Sequence, residues 1–494
     1  MKLKIKNLQI SSGVTLVAVL NRKDAEKFDL HVMDRIKIKR KNKIETVVID
    51  ITRNNHIVPE GTIGVFSEVA KSLDLKGKDI VEIMLARKPL SLDYIKKKLD
   101  GGKLTKKEID QIVWDIVHNK LSAVELTYFV AACYTKVMDP DETILLTKAM
   151  VETGDILKIN KFPIIDKHCI GGIPGNRTTM VIVPIIAAAG YYIPKTSSRS
   201  ITSPAGTADT MEVLANVSFP IEKMKEIVLR EHGCIVWGGA LNLAPADDKI
   251  IAVERPLGID AESQLLASIM AKKHSVSSTH ILIDIPIGKT AKIKDRKEAG
   301  KLQNEFEEIG KKLGKKVHAI ITDGSQPIGN GIGPLMEARD VLWILKRDSR
   351  RPLDLEKKCL LMCAKILEMA GERNGHKKAR EILESGKAYK KMMQIIAAQK
   401  GKNTDPDKMR LAKYSFDFLA GKKGVIKEIN NLMITKIARV AGAPIEKSAG
   451  LYLYKHVNDK VHKGERLFTI FSENQEKLKF AADIAKESTS YLIK

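Results

Sequence analysis

Between Pro163 and Leu214 the chain gathers the residue types best suited to hold an anion. Gly171, Gly172 and Gly175 let backbone N–H groups approach a ligand closely, and Ser197, Ser198, Ser200, Thr202, Ser203 and Thr207 offer hydroxyl donors beside Arg199. Turn formation alone accounts for any one of these glycines. It does not call for so many hydroxyls beside an arginine. A phosphate or a phosphorylated sugar is the expected guest.

The elements that must position these residues follow from the pattern around them. A short apolar strand ends at Asp166, a glycine-rich turn leads into an apolar helix reaching Gly190, and a second strand, YIPKTSS, feeds a hydroxyl-rich loop that opens into a helix at about Thr207. Two loops then leave two strand ends together, and helix N-termini add N–H donors. Further on, Ser268 and Lys272 stand four apart in ESQLLASIMAKK and share a helix face, which either lines a cleft or forms a solvated edge. The run HILIDIP, His280 to Pro286, is nearly continuously apolar, as a buried parallel strand should be. Gly288, Lys289 and Lys292 follow it, where ligands of open α/β sheets sit. The loop from Ile321 to Asp340 again joins strand to helix through glycines and is expected to border the same crevice.

Elsewhere the patterns mark out domains. Residues 1–87 read as short strands with a weak internal echo, Asp24 to Lys39 against Glu68 to Met84, which predicts a pseudo-twofold β domain. Its first segment, MKLKIKNLQI, alternates like an edge strand and has no apolar h-region, so no signal peptide is expected. Residues 88–161 read as a helical lobe, with later helices contributing; Thr105 with Glu108 and Ser122 with Glu125 are spaced as capping boxes, and Asp139-Pro140 opens another helix. Residues 162–422 form an α/β lobe. The last segment, 423–494, carries a Val457, Val461, Gly464, Leu467 hairpin that is read as structural.

A chain of 494 residues is long enough for two to four domains. Its net charge of +24 is spread over scattered basic runs with only 5% aromatic residues, which predicts a solvated lysine-rich surface, not a specific nucleic-acid site. Such a surface draws small anions. The longest apolar run, Met180 to Pro194, contains Pro184 and Gly190 and is too short to span a bilayer. Five cysteines fit a reduced cytoplasm, Cys359 and Cys363 sit in a buried helical pattern, and no Cys/His cluster has zinc spacing.

The segments YIKKKLDGGKLT, DKHCIGGIPGN, PKTSSRSITSPAGTAD, VWGGALNLAPADD and LLASIMAKK closely resemble the thymidine and AMP phosphorylase family, nearest to its archaeal-type branch with an added N-terminal domain. The resemblance implies a multidomain α/β fold: a small N-terminal β domain, a helical lobe plus an α/β lobe forming the catalytic cleft, and a C-terminal α+β domain. It implies phosphorolysis of nucleoside 5′-monophosphates, AMP and phosphate giving adenine and ribose 1,5-bisphosphate, with a thymidine or pyrimidine nucleoside phosphorylase as the alternative. Phosphate is the co-substrate and no cofactor or metal is expected; the protein is expected to be a cytoplasmic homodimer or larger homo-oligomer. A basic nucleic-acid-associated protein and a non-catalytic phosphate binder are the readings of other classes.

Carried over residue by residue, Gly172, Ser198, Arg199, Ser200, Ile201, Thr202, Ser203 and Thr207 look like the nucleotide-binding backbone and hydroxyls, Ser268 like a contact in the nucleoside cleft, and Lys292 like an anion contact. Asp260 matches the proton donor. Its position directly before AESQLLAS is also that of an N-cap, which favours the ionised form, whereas a proton donor needs a raised pKa. Lys167, Cys169, Asp323 and Ser325 depart from the branch's usual pattern and bear on substrate preference. Asp260→Asn is expected to abolish phosphorolysis while the fold survives, as turnover assays and circular dichroism on the same preparation will show.

Overall fold

The computed structural model describes the chain apart from Val14, Lys78, Arg87, Ile201, Thr202, Asp260, Lys402, Asn403 and the side chain of Arg255. Three of the expected site residues, Ile201, Thr202 and Asp260, thus lie outside the described residues. The chain divides into two compact units, Met1–Gly154 with Ala244–Ala271, and Asp155–Leu243 with Lys272–Lys494.

The first unit opens with six strands: β1 (Lys2–Asn7), β2 (Val17–Asn21), β3 (Arg35–Arg40), β4 (Lys43–Thr52), β5 (Thr62–Val65) and β6 (Ile80–Leu85). Alternation buries Leu3, Ile5, Ile36, Ile38, Val81 and Ile83 inside and leaves Lys2, Lys4, Lys37 and Lys39 outside. The strands close into a barrel in the order β1-β5-β2-β4-β3-β6. Exchanging β1–β3 with β4–β6 leaves the pairing unchanged, because β1 lies parallel to β5 as β4 does to β2, and antiparallel to β6 as β4 does to β3. The echo in the sequence is this pseudo-twofold. Contrary to expectation, β1 is not an edge strand. It is paired on both sides, since closure of the barrel removes every edge.

The same unit holds helices Ser91–Leu99, Lys106–Val117, Ala123–Thr135 and Pro140–Glu152, joined by Pro245–Leu257 and most of Glu262–Ser275. Capping boxes start three of them, at Thr105/Glu108, Ser122/Glu125 and Asp139/Glu142. Their apolar faces meet around Ile112, Phe129, Leu146, Met150 and Ala267. Glu142 serves twice: besides capping, its buried carboxylate accepts from Lys98 Nζ at 2.9 and 2.8 Å and from the Leu104 N–H at 2.8 Å.

The second unit is built on β7 (Ile165–Cys169), β8 (Ile193–Ser197), β9 (Gly233–Trp237), β10 (His280–Ile287) and β11 (Lys316–Asp323). Every pairing among them is parallel, in sheets β11-β10-β7 and β8-β9 that an Ile164–Tyr192 bridge joins. The helix Thr178–Ala188 packs into the core with Met180, Val181, Ile182, Ile185 and Ile186 wholly buried. β7 runs on past Asp166 to Cys169, because Ile283 and Asp284 of β10 extend the ladder opposite His168 and Cys169. From β7 the chain steps to β8 and β9, then returns to the other side of β7 for β10 and β11. The switch point lies between β7 and β10, outside their carboxyl ends.

The unit ends in an α+β domain with β12 (Gly331–Ile332), β13 (Tyr414–Leu419), β14 (Gly424–Ile429), β15 (Gly450–Leu453), β16 (Lys460–Val461), β17 (Arg466–Ser472) and β18 (Tyr491–Ile493), arranged as β12-β15-β17-β13 and β16-β14-β18. β13 joins this sheet ahead of the boundary placed at 423, since Phe418 stacks on Phe468 of β17 at 4.8 Å. No described helix is long and apolar enough to cross a membrane. Removing the carboxylate of the buried Lys98–Glu142 pair strands its partner, so Glu142→Ala is expected to lower the unfolding free energy by about 3–5 kcal/mol, as read from urea denaturation.

Candidate active site

Along β7, β8 and β10 runs a buried cluster of charge made of two sets of ion pairs, one on Asp166 and one on Asp284. Asp166 takes Lys273 Nζ at 2.9 Å and Lys195 Nζ at 3.5 Å, while Asp284 takes Lys358 Nζ at 3.1 Å and Lys167 Nζ at 3.9 Å. All six side chains are buried, so these ion pairs set four ammonium groups against two carboxylates. Burial, which Asp166 opposes and Lys273 and Lys167 reinforce, pulls Lys195 down to about 7. Burial likewise holds His168 neutral, its pKa pushed well below the usual imidazole range with Lys273, Lys195 and Lys167 adding to the effect. Against the penalty of burial, Lys358 and Lys167 keep the Asp284 carboxyl below the usual range. The cluster carries an excess of positive charge that a bound anion would balance.

The glycine-rich turn stands over this cluster. Gly172 has φ +91°, and a Cβ there would lie 2.8 Å from the backbone nitrogen of Lys292, so the turn and the segment after β10 touch through a position that takes no side chain. Gly172 and Lys292, predicted from separate stretches, are thereby brought together. Lys289 pairs instead with Glu428 at 2.9 Å. The loop from Ile321 borders the same turn: the Ile328 N–H donates to the Pro174 carbonyl at 3.1 Å. Cys169 Sγ accepts from the Gly171 N–H at 3.4 Å and from Asn176 Nδ2 at 3.2 Å, and burial, with Asp284 beside it, pushes its thiol up to about 11. Lys167 Nζ donates to Thr178 Oγ1 at 2.7 Å at the start of the following helix.

The hydroxyl loop is braced from within. Asp209 accepts from the N–H groups of Ser200 at 2.7 Å and Gly206 at 2.9 Å. Arg199 forks onto Glu212 at 2.8 and 2.5 Å, reaches Asp209 at 3.2 Å, and lies 4.8 Å over the Trp237 ring. That fork, against a burial penalty and with help from Lys447, holds the Glu212 carboxyl at about 2. Arg199 therefore shapes the loop with its side chain. Ser200 Oγ donates to the Ser203 carbonyl and Ser203 Oγ to the Ala205 carbonyl at 3.0 Å, whereas Ser198 is exposed and Thr207 half-buried. Ser197 Oγ, at the end of β8, is buried with no hydrogen-bond partner among the described residues. Ser268, half-buried on the helix Glu262–Ser275, belongs to the first unit.

The domain matches fit this architecture in order along the chain: a glycosyl transferase family helical bundle domain over residues 92–154, a glycosyl transferase family a/b domain over 161–389 and a pyrimidine nucleoside phosphorylase C-terminal domain over 425–492. Over 492 residues the chain is 45% identical to the AMP phosphorylase of Thermococcus kodakarensis, covering 99% of this chain and 97% of that relative. The AMP phosphorylase of Pyrococcus furiosus is also 45% identical, over 98% of this chain and 96% of its own. The chain belongs to the thymidine and AMP phosphorylase family. Among solved structures, the anthranilate phosphoribosyltransferase (TrpD) of Thermus thermophilus shares the fold, with a TM-score of 0.53 at 19% identity, over 63% of this chain and all (100%) of that one.

In this phosphorylase several residues of the buried cluster had no place among the predicted site residues: Lys195, Lys273, Asp284 and Lys358. A signal was present in the strands, since a lysine in YIPKTSS and an aspartate in HILIDIP are charges inside otherwise apolar runs and must find partners on burial. Gly172→Ala is expected to force a strained backbone worth about 1–3 kcal/mol or to displace Lys292, weakening phosphate at least about fivefold in KM, as initial-rate assays at varied phosphate will measure.

Proposed function

We propose that the protein catalyses phosphorolysis of AMP: inorganic phosphate adds to the anomeric carbon as the glycosidic bond to adenine breaks, giving adenine and ribose 1,5-bisphosphate. The observation that carries the reading is the glycine-rich turn packed on Lys292, with buried lysines along the strands that lead to it, in a chain of this family. As the bond breaks, the sugar gains oxocarbenium character and the base gains negative charge. Asp260 is assigned the proton that neutralises the leaving base, a contribution typically of about 10²–10⁴-fold. The nucleophile arrives already charged, so the site has to orient it and offset its repulsion from the nucleotide, which is work for fixed cations and donors.

Ser198, Arg199, Ser200, Ile201, Thr202 and Ser203 are proposed to hold the nucleotide, Thr207 with Gly172 and Lys292 to hold the phosphate co-substrate, and Ser268 to face the nucleoside. Phosphate is the co-substrate, and no cofactor enters the balanced reaction. Five free cysteines support a reducing, cytoplasmic setting. Exposed Trp114, Val124, Tyr128 and Tyr134 on the helices of the first unit support assembly into a homodimer or larger homo-oligomer.

Incubation with phosphate and AMP, CMP, UMP or thymidine, followed by chromatography of the released bases, tests the assignment. Adenine released from AMP in step with phosphate consumption is expected; turnover of thymidine alone would move the protein to the nucleoside-cleaving branch.

A further inference from the structure

Arg177 has no part in the roles assigned above, yet it ties the two loops together. It closes the glycine-rich turn immediately ahead of the helix Thr178–Ala188 and is 7% exposed. Its guanidinium extends to the other loop: Nη1 donates to Thr207 Oγ1 at 3.0 Å and Nη2 to the Ala205 carbonyl at 3.1 Å. Nε faces the buried Glu337 carboxylate, which is itself fixed by the Gly333 N–H at 3.0 Å. One planar fork thus spans a carboxylate on the helix Pro334–Lys346 and a hydroxyl and a carbonyl of the hydroxyl loop. A threonine hydroxyl has one proton and two lone pairs. With a lone pair taken by a cationic donor, the Thr207 proton points elsewhere and the hydroxyl is held, and polarised, as a donor.

We propose that Arg177 is a positioning residue for phosphorolysis, anchored by Glu337, which fixes Thr207 Oγ1 as a donor to the phosphate co-substrate. The inference rests on the phosphate-site reading above. It assigns Arg177 no contact with substrate; its effect passes through Thr207. A lysine retains the charge opposite Glu337 but, as a point charge on a flexible stem, cannot reproduce the three-way fork.

The test is a double-mutant cycle on the full-length protein with Arg177→Lys, Thr207→Val and the pair, measuring kcat and KM for phosphate and for AMP. Each single variant is expected to raise KM for phosphate roughly tenfold, the loss of one charge-assisted hydrogen bond, with KM for AMP changed by less than about twofold. The pair is expected to be no worse than Thr207→Val alone within about twofold. Multiplying effects in the pair, or an equal rise in KM for AMP, would overturn the proposal. If Arg177→Lys does not fold, Arg177→Met with Glu337→Gln removes both buried charges together and takes its place in the cycle, with the same outcomes expected. Should the wild-type protein release no adenine from AMP, the functional reading falls by itself, and the cycle is then read from the rise in melting temperature produced by inorganic phosphate: coupling of Arg177 to Thr207 sustains the proposal, additivity ends it.

Discussion

The second unit is governed by an imbalance: Lys167, Lys195, Lys273 and Lys358 share two carboxylates, Asp166 and Asp284, away from water. An uncompensated ammonium in such surroundings is costly, and a depressed Lys195 is the relief the protein finds for itself. The rest of the unit follows from that need. Parallel strands put all their carboxyl ends on one side, and glycine-rich turns bring backbone close to the same spot.

Arginine and lysine divide the labour. Arg199 and Arg177 are both spent on protein groups, the first bracing the hydroxyl loop through Glu212 and Asp209, the second linking that loop to the glycine-rich turn through Thr207 and Ala205. Each offers a rigid planar fork, suited to holding several partners at set angles. The lysines, compact charges on flexible stems, make up the cationic floor.

Much of this was legible in the sequence wherever the cause is local. The capping boxes at Thr105, Ser122 and Asp139 are set by residues three apart, and the barrel's symmetry shows as a repeated helix-to-strand pattern. The glycines and hydroxyls announced two loops. What escaped notice depends on contacts between distant segments: Asp284 within an apolar strand is explained by Lys358 on a far helix, and Lys195 by Asp166 on the neighbouring strand. Arg199 stood out in the sequence with its serine neighbours, while the approach of Glu212 to its side chain depends on how the loop folds back. The edge-strand reading of β1 failed for the same reason, since alternation reveals which side chains face in and says nothing about closure.

The barrel's closing seam carries a consequence of its own. Lys2 of the first strand lies opposite Glu82 of the last, so the module begins and finishes at one rim. A folded element whose entry and exit are adjacent can be inserted into a chain, or excised from it, without rethreading the rest of the fold. Its two halves are interchangeable in that seam as well, since each contributes one strand of every symmetry-related pairing.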